Sequence, residues 1–276
     1  MAEKNAVNQA LGATARWTAA ARAAESARED RLFFDPWAQT LAGAEGMAWL
    51  QQRGGNVSSM VIRTRYFDDF LQGAVAGGSI RQVVILAAGL DTRAYRMEWP
   101  AGTRMFELDR PEVLLYKQQV LDEAGAQPAC ERTPVGVDLT GQWQETLLAA
   151  GYEPGSPSVW LLEGILFYLP PESIDRVLQQ ASDLAALGSR LGFDTMNSVT
   201  LTSPLTRPWI EMQANAGAPW LGWLDDPEAA LAGLGWQAEL TQLGAPDAHF
   251  ERWTLPVLPL KMPNMPHSWY VTAVKC

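Results

Sequence analysis

The chain has 276 residues and a formal net charge of −10, with 47% hydrophobic and 19% charged residues. That composition describes a globular chain, and an acidic excess with no basic patch interleaved with aromatics argues against a nucleic-acid partner. Two cysteines (Cys130, Cys276) and two histidines (His249, His267) are too few for a disulfide framework or an N/S-ligated zinc site, so no metal is expected.

Residues 1–10 are polar and lack the basic-then-apolar pattern of a signal peptide. No apolar run approaches the ~20 residues that span a bilayer. The expected setting is therefore the cytoplasm, with no membrane partner. Residues 10–32, rich in Ala with spaced Arg and Glu, predict an amphipathic helix that Phe34-Asp35-Pro36 closes. A second helix is predicted from about Ser58 to Val75, after Gly54-Gly55-Asn56, with Val61, Ile62, Phe67, Phe70 and Leu71 for burial. From Gly77-Gly78 onward strand and helix signals alternate, the mark of a parallel sheet covered on both faces. Strands are predicted at 82–87, 104–109, 130–137, 158–163 and 190–195. Pro111 opens one intervening helix, to about Ala124, and Pro171 another, to about Ala186.

After Thr195 the pattern loosens, and Pro204, Pro208, Pro219 and several tryptophans suggest a lid over 197–222. A short helix follows Asp226-Pro227-Glu228, and an antiparallel pair is expected at 249–256 and 268–274. The chain reads as one domain: a helical cover (1–78), a cofactor-binding core (79–196), and a lid or acceptor region with the last strands (197–276).

The first strand, Val83-Val84-Ile85-Leu86, runs into the turn Ala87-Ala88-Gly89-Leu90-Asp91. A turn that cradles a pyrophosphate presents bare N–H groups and avoids acids, so Asp91 opposes a phosphate. It suits a nucleoside with a cationic end, the description of S-adenosyl-L-methionine (SAM). Glu107 and Asp109 share one strand face, and Asp109 falls twenty residues after Gly89, the spacing of a ribose-binding acid. Asp138-Leu139 ends the third strand, where a carboxylate meets an adenine amino group or caps a helix. Glu163 ends an apolar strand and needs a partner: an ammonium, an arginine or a backbone donor. Arg63 and Arg65 are placed either to clamp a carboxylate or to pair with Asp68 and Asp69 at the surface. Tyr168 is a cleft hydroxyl or a packing residue. Trp209, Trp220 and Trp223 line an apolar substrate pocket or form core. His249 is the better base candidate should an acceptor hydroxyl have to lose its proton.

Several of these stretches resemble the leucine carboxyl methyltransferase family, in the same order along the chain. They are Arg63-Thr64-Arg65-Tyr66-Phe67-Asp68-Asp69-Phe70, Leu86-Ala87-Ala88-Gly89-Leu90-Asp91-Thr92-Arg93 and Phe106-Glu107-Leu108-Asp109-Arg110-Pro111. Val137-Asp138-Leu139 and Leu162-Glu163-Gly164-Ile165-Leu166-Phe167-Tyr168-Leu169 continue it, flanked by Phe34-Asp35-Pro36 and Ser268-Trp269-Tyr270-Val271-Thr272-Ala273.

The resemblance implies an α/β fold, the class I SAM-methyltransferase Rossmann-like sheet of seven mostly parallel strands. It implies that Arg63, with Arg65 beside it, holds the SAM carboxylate, and that Ala87-Ala88-Gly89 underlies the methionine portion. Asp109 then takes the ribose, Asp138 and Leu139 the adenine, and Glu163 the amino-acid end. Arg22 corresponds to a basic residue near the family N-terminus, and Tyr168 to a tyrosine near the acceptor carboxylate of the eukaryotic members. Residues 197–266 show no such match, so the acceptor is not implied. The expected reaction is O-methylation of a carboxylate on a small molecule or peptide, which needs no base in a chain with two histidines. A phenol or alcohol acceptor would need one. A nicotinamide oxidoreductase, disfavoured by the single turn glycine and by Asp91, and a non-catalytic SAM-binding module are the alternatives from other classes.

Overall fold

The computed structural model describes residues 2–52, 57–260 and 262–276, with side chains from residue 14 onward. The Gly54-Gly55-Asn56 punctuation lies outside the described residues. Helix α1 (Ala2–Ser26) packs on α2 (Ala38–Gln52), which is kinked at Gly43, and α3 (Ser58–Ala76) follows. The predicted strands then appear within a residue or two of their expected bounds. They are β1 (Gln82–Leu86), β2 (Arg104–Asp109), β3 (Glu131–Gly136), β4 (Ser158–Leu162) and β5 (Arg190–Met196). The helices between them are the single turn α4 (Arg93–Arg96), α5 (Pro111–Glu123), α6 (Gln144–Ala149) and α7 (Pro171–Leu184). Proline opens α5 and α7, where its fixed φ suits a first helical turn and its missing N–H costs nothing.

β1 is buried along its whole length, which explains its unbroken apolar run: helices cover both faces of a parallel sheet. On one side Phe106, Trp143, Trp160 and Phe193 form the core, and on the other Phe67, Met105, Leu161 and Tyr270. Pro134 stands inside β3 because β3 is an edge strand and can forgo one ladder donor.

Beyond β5 come α8 (Val199–Thr202), α9 (Arg207–Asn215) and α10 (Pro227–Ala232), then β6 (Trp236–Gln242) and β7 (Ser268–Lys275). β7 pairs antiparallel with β5 on one side and with β6 on the other, where Leu240 faces Val271, and not with the expected 249–256. That stretch turns instead, with Phe250 and Glu251 at φ of 44° and 57°, conformations no strand holds. The sheet order is β3-β2-β1-β4-β5-β7-β6, all parallel except β7. Because the chain winds outward from β1 to β3 and then restarts at β4, a crevice opens at the carboxyl ends of β1 and β4, where such sheets bind ligands.

Candidate active site

A cavity of about 480 Å³ occupies that crevice. It is bounded by the ends of β1, β2, β4 and β5, the start of β7, and residues of α1 and α9, and its size suits a cofactor and a small acceptor.

At one side the turn after β1 takes a left-handed course at both Ala87 (φ 54°) and Gly89 (φ 47°). It is tied to the neighbouring strand end: the Gly89 N–H donates to Asp109 Oδ2 at 2.6 Å, and the Arg110 N–H donates to Asp109 Oδ1 at 2.7 Å. Burial pushes the Asp109 carboxyl above its ordinary value, against the pull of those two N–H groups. Asp138 and Leu139 line the next part of the wall, beside Val113 and Val137. Asp138 Oδ1 accepts from the Thr140 N–H at 2.9 Å and its hydroxyl at 2.7 Å, so the turn after β3 fixes that carboxylate.

The middle of the cavity is a closed set of ion pairs. Burial by itself would raise Asp91; the Arg93 guanidinium, helped by Lys117 and Arg96, outweighs it and holds the carboxyl at about 2. Arg93, 3% exposed, also donates to Asp68 at 2.7 Å and to Glu163 Oε2 at 2.8 Å. Arg63 donates through Nε to Glu163 Oε1 at 3.0 Å and through Nη1 to Asp194 Oδ2 at 2.9 Å. Arg22 reaches across from α1 to Asp35 at 2.8 Å and to the Leu90 carbonyl at 2.6 Å, while Thr92 donates to the same Asp35. The Phe34-Asp35-Pro36 motif thereby anchors the first turn of the sheet.

The far side is aromatic. Trp220 stacks on Phe167 at 4.9 Å and meets the edge of Trp209 at 5.0 Å; Tyr168 contacts Trp220, and Trp17 and Gln213 also line the cavity. The position of Trp220 follows from Gly222, where an added Cβ would stand 2.1 Å from the Leu166 carbonyl. With no side chain there, the N–H groups of Leu221 and Gly222 both donate to the Phe167 carbonyl, seating this segment on the turn after β4. Burial raises Tyr168, while the Trp220 side chain and the Arg63 charge pull the other way. Its hydroxyl stays protonated at neutral pH and can donate to a ligand.

Of the residues singled out in the sequence, Arg63, Ala87, Gly89, Asp91, Asp109, Asp138, Leu139, Glu163, Tyr168, Trp209 and Trp220 line the cavity together. Four do not. Glu107 is fully buried one pleat deeper than Asp109, where it pairs with Lys117 and Arg132 at 2.7 Å each. Arg65 points away, bonding Asp69 and the Leu32 carbonyl. Trp223 is not part of the cavity wall. His249 sits in a separate shallow groove with Asp30, Phe250 and Arg252, and its Nδ1 accepts the Glu251 N–H. Asp194, Arg93, Trp17, Gln213 and Tyr270 line the cavity without having been anticipated. Asp194 was legible: it lies two residues before the end of β5, level with Glu163 at the ligand edge of the sheet.

The leucine carboxyl methyltransferase model matches residues 15–182. An inferred S-adenosyl-L-methionine-dependent methyltransferase of Mycolicibacterium vanbaalenii is 37% identical, covering 97% of this chain and 96% of its own. One of Frankia alni is 42% identical over 82% of each chain. Among solved structures, a methyltransferase assigned by inference from Thermobifida fusca aligns with a TM-score of 0.57 at 19% identity, covering 92% of this chain and 94% of its own. The magnesium protoporphyrin IX methyltransferase of Synechocystis, solved with bound S-adenosylhomocysteine, aligns with 0.52 at 13% identity, covering 84% and 95%. These two show the class I methyltransferase sheet at the level of fold. The chain belongs to the leucine carboxyl methyltransferase family.

Proposed function

We propose that the protein is a SAM-dependent methyltransferase whose acceptor atom is the oxygen of a carboxylate on a small molecule or peptide. The donor set suits SAM. Asp109 is a half-buried carboxylate that accepts one backbone N–H on each oxygen, and each oxygen keeps a lone pair for a ribose hydroxyl. Asp138 and Leu139 would meet the adenine, while Arg63 and Glu163 offer opposite charges to an amino acid's carboxylate and ammonium. When bound, SAM supplies an electrophilic methyl on a sulfonium, which an ionised carboxylate oxygen takes without any proton moving.

One observation carries the choice of a carboxylate: among the described residues, no cavity-lining side chain is a disengaged base. Asp91, Glu163 and Asp194 are in ion pairs, Asp109 is held by backbone N–H groups and Asp138 by Thr140. Neither histidine lines the cavity, and Tyr168 is a neutral donor. What remains for the chain is alignment and exclusion of water, and alignment alone is worth ~7–11 kcal/mol in favourable cases. The Tyr168 hydroxyl would orient the acceptor carboxylate, and Trp209 and Trp220 would cover its apolar body.

The test is calorimetric titration with SAM and S-adenosylhomocysteine, followed by turnover against panels of hydrophobic carboxylic acids and of phenols. Methyl esters from the acids support the reading. Turnover of phenols alone transfers it to a hydroxyl acceptor, and tight binding with no transfer leaves a SAM-binding module. Binding of NAD(P) in place of SAM would sink it entirely.

A further inference from the structure

Two residues beside Arg63 are given no role toward the cofactor in the reading above. Gly164 follows Glu163 at φ 72°, and an added Cβ would stand 3.1 Å from both Nη1 and Nη2 of Arg63. The guanidinium thus lies across bare backbone, in space any side chain would take. Asp194, two residues before the end of β5 and with its side chain 5% exposed, divides its two oxygens: Oδ1 accepts the Gly164 N–H at 2.6 Å, and Oδ2 accepts Arg63 Nη1 at 2.9 Å. One carboxylate therefore fixes both the turn that carries Glu163 and the arginine contributed by α3. Glu163 takes Nε of the same guanidinium, and the buried Tyr270 faces Asp194 across the β5–β7 ladder.

A buried ion pair is by itself a weak stabiliser, because desolvation cancels most of its attraction. A carboxylate that also binds the backbone N–H of a left-handed glycine under the guanidinium sets direction as well as charge. We infer that Asp194 and Gly164 are positioning residues for the amino-acid end of the cofactor, acting through Arg63 and Glu163. The inference rests on the reading that these two residues meet the carboxylate and ammonium of SAM.

Wild type, Asp194→Asn and Gly164→Ala would be titrated with S-adenosylhomocysteine and with 5′-methylthioadenosine, which shares the adenosine and sulfur but lacks the amino acid. Asparagine keeps an acceptor for the Gly164 N–H while turning amide donors toward the guanidinium. Each variant should weaken S-adenosylhomocysteine at least about tenfold, the worth of one misdirected charged hydrogen bond, and change methylthioadenosine less than about twofold. Equal weakening of both ligands, or of neither, overturns the inference. Gly164→Ala, which removes no charge, decides the case if Asp194→Asn does not fold. Wild type that binds neither ligand overturns the cofactor reading itself. Wild type that binds both, with variants that discriminate as it does, overturns only the positioning role.

Discussion

The cavity has two unlike walls. On the charged wall Arg63, Arg93, Glu163 and Asp194 each make at least two hydrogen bonds or ion pairs to one another or to backbone. A group held twice cannot turn without breaking a bond in a region of low dielectric, so this wall is pre-organised before a ligand arrives. On the aromatic wall Phe167, Trp209 and Trp220 touch through ring faces and edges, and Trp209 remains 38% exposed. Such contacts are each worth about 0.5–1.5 kcal/mol beyond burial and tolerate small displacements. A rigid charged wall suits a ligand that never changes, and a compliant aromatic one suits recognition by shape. Under the proposed function, the first wall is the cofactor's and the second the acceptor's.

The sharpest way to break this division uses two acids on one strand. Glu107→Ala leaves Lys117, which is fully buried, facing Arg132 without their shared carboxylate. Removing one partner of a buried pair costs about 3–5 kcal/mol, so chemical denaturation should show a loss of that size. Asp109→Ala, two residues on, should instead cost affinity: two charge-assisted hydrogen bonds to a ribose are worth roughly a hundredfold in S-adenosylhomocysteine binding by calorimetry. If Glu107→Ala spared stability and lost binding, the placement of Glu107 in the core rather than the site would be wrong.

That pair also shows what the sequence could and could not reveal. Strand alternation correctly placed Glu107 and Asp109 on the same face, but depth within a face is set by α5, whose Lys117 covers the earlier acid. Strand-end acids were legible because the ligand edge of a parallel sheet is a topological position, readable once β1 to β5 are recognised. The aromatic wall was legible only in part, because α1, the turn after β4 and α9 each contribute to it. Trp17 and Gln213 gave no local signal, and Trp223 looked equivalent to Trp220, whereas in the fold Gly222 packs on the Leu166 carbonyl, with Trp220 in the cavity and Trp223 outside it. The β6–β7 pairing was missed for a related reason. Trp236–Gln242 alternates only weakly in burial, while the aromatic 249–256 stretch resembled a strand yet contains two left-handed residues.

A smaller effect tests the aromatic wall directly. Trp220→Ala removes the ring that stacks on Phe167 and meets Trp209, so the acceptor loses contact area while the charged wall is untouched. For whichever carboxylic acid is turned over, KM should rise about tenfold, with the affinity for S-adenosylhomocysteine within twofold of wild type. Equal loss of both would mean that the two walls act as one unit and that the segment over 197–222 is not an acceptor lid.

The smallest expected effect is the most informative about chemistry. His249 was the sequence's better histidine candidate for a base, yet it lies in a groove of its own, and its ring accepts the Glu251 N–H, 3.0 Å away. His249→Ala should cost at most about 1 kcal/mol of stability, for one exposed hydrogen bond, and leave kcat unchanged. The pH–rate profile distinguishes the readings further. With a carboxylate acceptor and no enzyme base, kcat/KM falls only at acid pH, as the acceptor itself protonates, and stays flat through the range where an imidazole titrates. A limb that vanished in His249→Ala would bring that residue back into the mechanism and favour a hydroxyl acceptor. A flat profile in both proteins would leave orientation, and not proton transfer, as what the two walls supply.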